Sequence, residues 1–375
     1  MSRTVNISQV DALFVDGSYP IEFLFYYAQP FSTKRLRSGL RKLAPLFWPA
    51  FGEYEEGRIV FDRYREAECY EEETVDREID FREIGESIAE AHSRFALPEL
   101  ARLFFLRAIR FRNGLALIPK LSHLAGDGYS YFLFLSALAT LTRPSIVPFR
   151  ARSLKLAIKP RHQRTAFRNF LFRGVAPKPP SQESRLTVVC DEIPRRDVQA
   201  VIREAASSAG LRISTNDVLS ALAMRKLVKA RADRWTGEVR LTVPIDVRGK
   251  LKEYGRGFFG NALLFHRVTF EKGQIESSPT GEIAAMIRRS MPSLSKESYI
   301  EFLRGLEETI SAGRLDELRP FDPERGCLVT NLSRLPTGRL DFGSGAPQGI
   351  MPLTMERNGA AILAEGENYL LKYAY

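Results

Sequence analysis

"LSHLAGDGYS", residues 121–130, sets one histidine four residues ahead of an Asp-Gly pair. The run before it, "GLALIPKLSH" (114–123), is apolar with little alternation, the pattern of a buried strand ending at His123. The run after it, "GYSYFLFLSALATL" (128–141), is apolar at helical length. A strand, a sharp turn and a helix therefore bracket the histidine, with Gly126 and Gly128 allowing the bend around Asp127. Imidazole takes and returns protons near neutral pH, so a histidine held on such a turn suits a general base. The plain structural reading is a strand-end histidine satisfied by a backbone carbonyl. Asp127 can fix the turn by accepting backbone N–H groups or by pairing with an arginine.

Outward from this centre, strands and helices interleave along the chain. "KRLRSGLRKLAPLF" (34–47) carries Leu36, Leu40 and Leu43 on one helical stripe, and "GRIVFDRY" (57–64) reads as a strand. Beyond residue 184, "SRLTVVCDEI", "EVRLTVPIDVRGKL" and "GFFGNALLFHRVTF" read as strands. "PRRDVQAVIREAASSAG", "STNDVLSALAMRKLVKARADRW", "GEIAAMIRRSM" and "ESYIEFLRGLEETI" read as helices, with Asn216 and Asp217 capping the second. "CLVTNLSRL", "GRLDFG" and "NYLLKYAY" close the chain as short strands. The class is α/β. His266 falls within a strand and reads as structural; His162 falls in a basic connection and reads as solvated.

The 375 residues are 44% hydrophobic and 27% charged, an ordinary globular composition with room for two domains. The N-terminus has no apolar signal region, and no run approaches the ~20 apolar residues of a membrane span. Cys69, Cys190 and Cys327 are odd in number, far apart and lack metal-ligand spacing. A cytoplasmic protein without a disulfide framework or bound metal is expected. A net charge of +10 favours anionic partners.

Much of that charge lies between Arg143 and Lys178, where ten basic residues occur with no acidic one and six prolines punctuate residues 144–180. The segment reads as a solvated linker or long crossover. Its functional alternatives are a phosphate-binding rim and a membrane-surface contact, since "LKLAIK" and "TAFRNFLFRG" mix apolar and basic residues. Nucleic acid is a poor fit, because few aromatic residues are interleaved for stacking and no recognition module appears.

"HLAGDG" (123–128) resembles the HxxxDG motif of the BAHD acyltransferases, whose superfamily includes chloramphenicol acetyltransferase and peptide-synthetase condensation domains. Three further patches resemble that branch in its order: "FWPAFGEYEEGRIVF" (47–61), then "STNDVLSAL" with "VPIDVRGKL" and "GFFGNALL", then "DFGSGAP" (341–347). The last of these resembles the DFGWGKP motif, with Ser344 where the family has tryptophan. Asn331-Leu332 stand where the family often has Ser-Trp.

The resemblance implies two similar-sized mixed-sheet domains with an active-site channel between them: residues 1–145, a crossover over 146–183, and 184–375. It implies that His123 is the general base, that Asp127 with Gly128 is structural and pairs with Arg248, and that Asp341 and Gly343 form a bracing turn. Asn331 and Thr330 are the candidates for the oxyanion donor. Ser214, Thr215, Lys250, Arg152 and Lys155 are candidates for contact with acyl-CoA, the donor co-substrate; no permanently bound cofactor is expected. The acceptor would be a small or lipid-like alcohol or amine and the enzyme a monomer, with a membrane-surface location as an alternative. Two rivals stand beside this reading. A carrier protein could deliver the acyl group, its acidic surface docking on the basic one. The fold could also serve as a binding module without turnover.

Overall fold

In a computed structural model the chain is described over residues 2–375, apart from 18, 82–94, 96, 98–101, 145–185, 210, 315–316 and 355. The basic segment 146–183, with Arg152, Lys155 and His162, lies outside the described residues.

The elements run β1 (Arg3–Asn6), β2 (Ile21–Tyr27), α1 (Thr33–Leu43), β3 (Glu53–Glu55), β4 (Arg58–Phe61), β5 (Tyr70–Thr74), β6 (Phe104–Phe111), β7 (Gly114–Leu121) and α2 (Gly128–Thr142). There follow β8 (Val188–Pro194), α3 (Arg195–Ala209), α4 (Thr215–Ala230), β9 (Glu238–Asp246), β10 (Leu263–Glu271), α5 (Lys272–Ser277), α6 (Thr280–Ser290) and α7 (Lys296–Ser311). The chain closes with β11 (Gly326–Asn331), β12 (Gly349–Pro352), β13 (Gly359–Glu365) and β14 (Asn368–Ala374).

Two mixed sheets carry the architecture. The first has five strands in the order β12-β2-β7-β6-β5, antiparallel except for the β5/β6 pair. The second has six in the order β10-β9-β11-β13-β14-β8, with β11 parallel to both of its neighbours. A small antiparallel sheet, β1-β4-β3, stands apart. The sheets do not respect a boundary near residues 146–183: β12, late in the chain, pairs with β2, setting Met351 opposite Leu24.

Period-two alternation gives β14 its two faces. Leu371 and Tyr373 join the core beneath α3, α4 and α6, whereas Leu370 packs toward the core of the first sheet. The stripe of α1 is fully buried at Leu36, Leu40 and Leu43. Helix α2 is apolar on most sides because it lies inside the first core, with Phe132 set edge-on to Phe23 and Phe25.

Two local expectations are corrected. Strand β7 ends at Leu121, so His123 sits in the following turn rather than at the strand end. "GRLDFG" is not a strand: a 3₁₀ turn over Thr337–Arg339 leads into a loop. The Asp341 carboxylate accepts the N–H groups of Gly343 (2.8 Å) and Gly345 (3.0 Å), which folds the backbone back on itself instead of offering it to a sheet.

Candidate active site

His123 lines a cavity of about 620 Å³ whose walls come from both large sheets. The ring lies flat on Phe14, centroids 3.8 Å apart and planes 15° apart. Its Nδ1 lies 3.1 Å from Asn261 Oδ1. The two protons of the Asn261 amide are already engaged: Nδ2 donates to the His123 carbonyl (2.7 Å) and to Asp11 Oδ1 (2.9 Å). The amide oxygen must then face the imidazole, so Nδ1 carries the proton and Nε2 keeps its lone pair. Burial pushes the His123 pKa below its ordinary 6.5, against the opposing pull of Asp127 and Asn261. The ring is neutral at neutral pH.

Asp127 caps α2 by accepting the Ser130 N–H at 3.0 Å. Its two oxygens meet Arg248 Nη1 at 2.8 Å and Nη2 at 3.0 Å, and Ala262 N–H adds a bond at 2.9 Å. Burial alone would raise this carboxyl; the Arg248 guanidinium and the two N–H groups overcome it and hold the carboxyl below the usual range. Arg248 also donates to the Gly260 carbonyl (2.8 Å) and lies over the Tyr129 ring. With every acceptor position occupied, Asp127 fixes the loop and has no free oxygen for chemistry. Gly128 opens α2 beside it.

Thr330 and Asn331 also line the cavity. Asn331 Nδ2 donates to Asn216 at 2.8 Å, and its oxygen accepts from Ser333 N and Oγ. The Thr330 hydroxyl takes no partner among the described residues. Ser214, not Asn216, is the N-cap of α4: its hydroxyl and the Asp217 carboxylate form a reciprocal capping box that Arg288 completes. Asn216 instead faces the cavity, while Ser214, Thr215 and exposed Lys250 are not among its lining residues. Asp341 lies 3.6 Å from Arg143, and Phe342 stacks on Phe31, so the DFG loop braces the first core. His266 meets Ser290 Oγ at 3.3 Å on β10, away from the cavity lining.

Asn261, Asp11 and Phe14 were not singled out in the sequence. Asn261 stands inside the "GFFGNALL" block, so a signal existed; Asp11 and Phe14 lie about 110 residues from His123 and carried none.

The Transferase family profile matches residues 89–368. Among curated relatives, anthranilate N-benzoyltransferase protein 2 of Dianthus caryophyllus is 23% identical over 262 residues, 65% of this chain and 58% of its own length. Piperamide synthase of Piper nigrum is 24% identical over 286 residues, 72% of this chain and 58% of its own. The chain thus spans little more than half the length of these relatives. Among solved structures, TRI101 of F. graminearum with ethyl coenzyme A aligns at a TM-score of 0.75 with 13% identity, over 100% of this chain and 95% of that one. Vinorine synthase aligns at 0.72 with 15% identity, over 100% and 94%. These matches share the two-domain chloramphenicol acetyltransferase-like fold.

Proposed function

The chain belongs to the Transferase family, the BAHD acyltransferases, and on that premise we propose that it transfers an acyl group from acyl-CoA to an acceptor hydroxyl or amine, with His123 as general base. The observation that carries this is the tautomer of His123: a neutral ring in a cavity, its Nδ1 proton held by Asn261 and its Nε2 basic. Relatives that act as acyltransferases and a solved neighbour holding a coenzyme A derivative support the donor class.

In this reading Nε2 takes the acceptor proton as the acceptor oxygen or nitrogen attacks the thioester carbonyl. The carbonyl π electrons move to oxygen, and the Thr330 hydroxyl, unengaged among the described residues, is the freer donor to that oxyanion. Asn331 is the second candidate, with its amide partly committed to Asn216. Collapse of the tetrahedral intermediate breaks the C–S bond, and the imidazolium returns its proton to the departing thiolate. No acyl-enzyme forms. The Asp127–Arg248 pair holds the loop on which His123 rides.

Delivery of the acyl group by a carrier protein is the alternative, and it has no specific support among the described residues. The test is release of free thiol from acyl-CoAs of increasing chain length, mixed with pooled alcohols and amines, by wild type and His123→Ala. Turnover that depends on His123 is expected; absence of both turnover and CoA binding would overturn the reading.

A further inference from the structure

At another part of the same cavity sits a buried lysine that no carboxylate pairs with among the described residues. Lys372, on β14, is 4% exposed and lines the cavity. Its Nζ donates to the carbonyls of Pro352 and of Thr354. An ammonium has three protons, so one donor is left over. No carboxylate lies within ion-pair distance of it among the described residues. The acids that share the lining are otherwise engaged: Asp127 and Asp246 with Arg248, Glu22 with the Leu97 N–H, and Glu356 with the Tyr19 N–H.

An uncompensated buried cation is costly, and such groups are normally paired. Burial does push the Lys372 pKa down, to about 8, which still leaves the amine mostly protonated at neutral pH. The two carbonyls tie β14 to the end of β12 and the residues just after it, which accounts for two of the three protons and not for the charge.

Sheet register fixes where this cation lies. Thr330 on β11 pairs with Ala361 on β13, and Ala361 pairs with Lys372 on β14. Residues paired in register point to the same face, so Thr330, Ala361 and Lys372 form one row along the cavity wall. Two strand spacings separate the Thr330 and Lys372 backbones, about 10 Å. We propose that Lys372 is an anion anchor, and that the cavity takes a substrate carrying a carboxylate on the side of the reacting carbon where β14 forms the wall. The role of this site in transfer rests on the acyltransferase reading; the anchor itself is a binding property. Two sources share the chemistry: an acceptor that is a hydroxy- or amino-acid, or a donor whose acyl group ends in a carboxylate.

Calorimetric binding separates them. The acceptor arm compares 3-(4-hydroxyphenyl)propanoate with its methyl ester, and the donor arm compares malonyl-CoA with acetyl-CoA, each with wild type and Lys372→Met. The anchor predicts that wild type binds the acid or the malonyl form roughly 10- to 100-fold more tightly than its neutral counterpart, the range of a charge-assisted hydrogen bond. In Lys372→Met the ratio should collapse toward one, and the arm that shows the effect names the source. Equal binding within both pairs by wild type overturns the proposal, and that comparison holds even if the variant does not fold. A preference that persists in folded Lys372→Met overturns it as well. Thiol release and CoA binding in the same mixtures read the other proposal: acid-selective acceptor binding with neither turnover nor CoA binding keeps the anchor and removes the acyltransferase reading, and turnover without selectivity does the reverse.

Discussion

The Asp127 carboxylate and the Arg248 guanidinium meet as a two-pronged pair, 2.8 and 3.0 Å, across 121 residues of chain, with both side chains 2% exposed. The pair locks the N-terminus of α2, and with it the His123 turn, to the loop that follows β9. Removing one partner leaves the other charge buried and unmatched. Asp127→Asn is expected to cost about 3–5 kcal/mol in a denaturant titration, and to slow turnover because the His123 loop loses its clamp. Wild-type stability together with wild-type rate would refute the clamp.

The Asn261 amide decides which imidazole nitrogen carries the proton. Asn261→Ala removes that selection and strips Asp11 and the His123 carbonyl of a donor. Turnover should fall by roughly 10- to 100-fold, chiefly in kcat with little change in KM. A fall in KM-dependent terms alone would point to substrate contact instead.

The His123 pKa is depressed by burial, so its imidazole stays unprotonated to lower pH than an exposed histidine. The acid limb of kcat/KM should have its midpoint below 6.5. The same shift contributes to stability. Above the unfolded value of 6.5 the contribution is fully present, and it is lost as pH falls from there through the folded pKa, because the unfolded chain binds the proton first. His123→Ala should flatten that part of the stability profile in a pH series of melting curves.

Phe14 covers one face of the imidazole. Phe14→Ala is expected to destabilise the fold by about 3–5 kcal/mol and to admit water to the ring. The acid limb of the rate profile should then move up toward 6.5, as desolvation is relieved. An unmoved limb would mean that other groups keep the ring dry.

Gly343 adopts φ +116°, and a Cβ there would meet Pro144 Cδ at 2.7 Å. Gly343→Ala should lower stability by about 1–3 kcal/mol, with the loss seen in the melting temperature, whereas Ser344→Ala next to it should change little. Equal effects at both positions would remove the argument from backbone conformation.

The fold class and most long elements were legible because their signals are local. α1 shows a leucine stripe, α4 opens with a run of capping residues, and α2 is apolar at helical length. Short strands such as β12 and β3 were not, since three or four residues carry too little pattern to read. The "DFG" segment was misread for a related reason. A side-chain carboxylate folds it, and that competes with strand pairing only once the loop is in place.

The sequence by itself determined the composition of the cores, the helix start at Asp127-Gly128 and the order of the motif patches, because each is written in adjacent residues. Only the tertiary structure decided which nitrogen of His123 is protonated, that β12 crosses to the first sheet, and that Lys372 sits buried with no carboxylate partner among the described residues. Those depend on Asp11, Asn261, Met351 and Pro352 arriving beside residues far away in the chain. Hydrogen bonding, desolvation and strand register act through space, and no local pattern encodes which distant partners will meet.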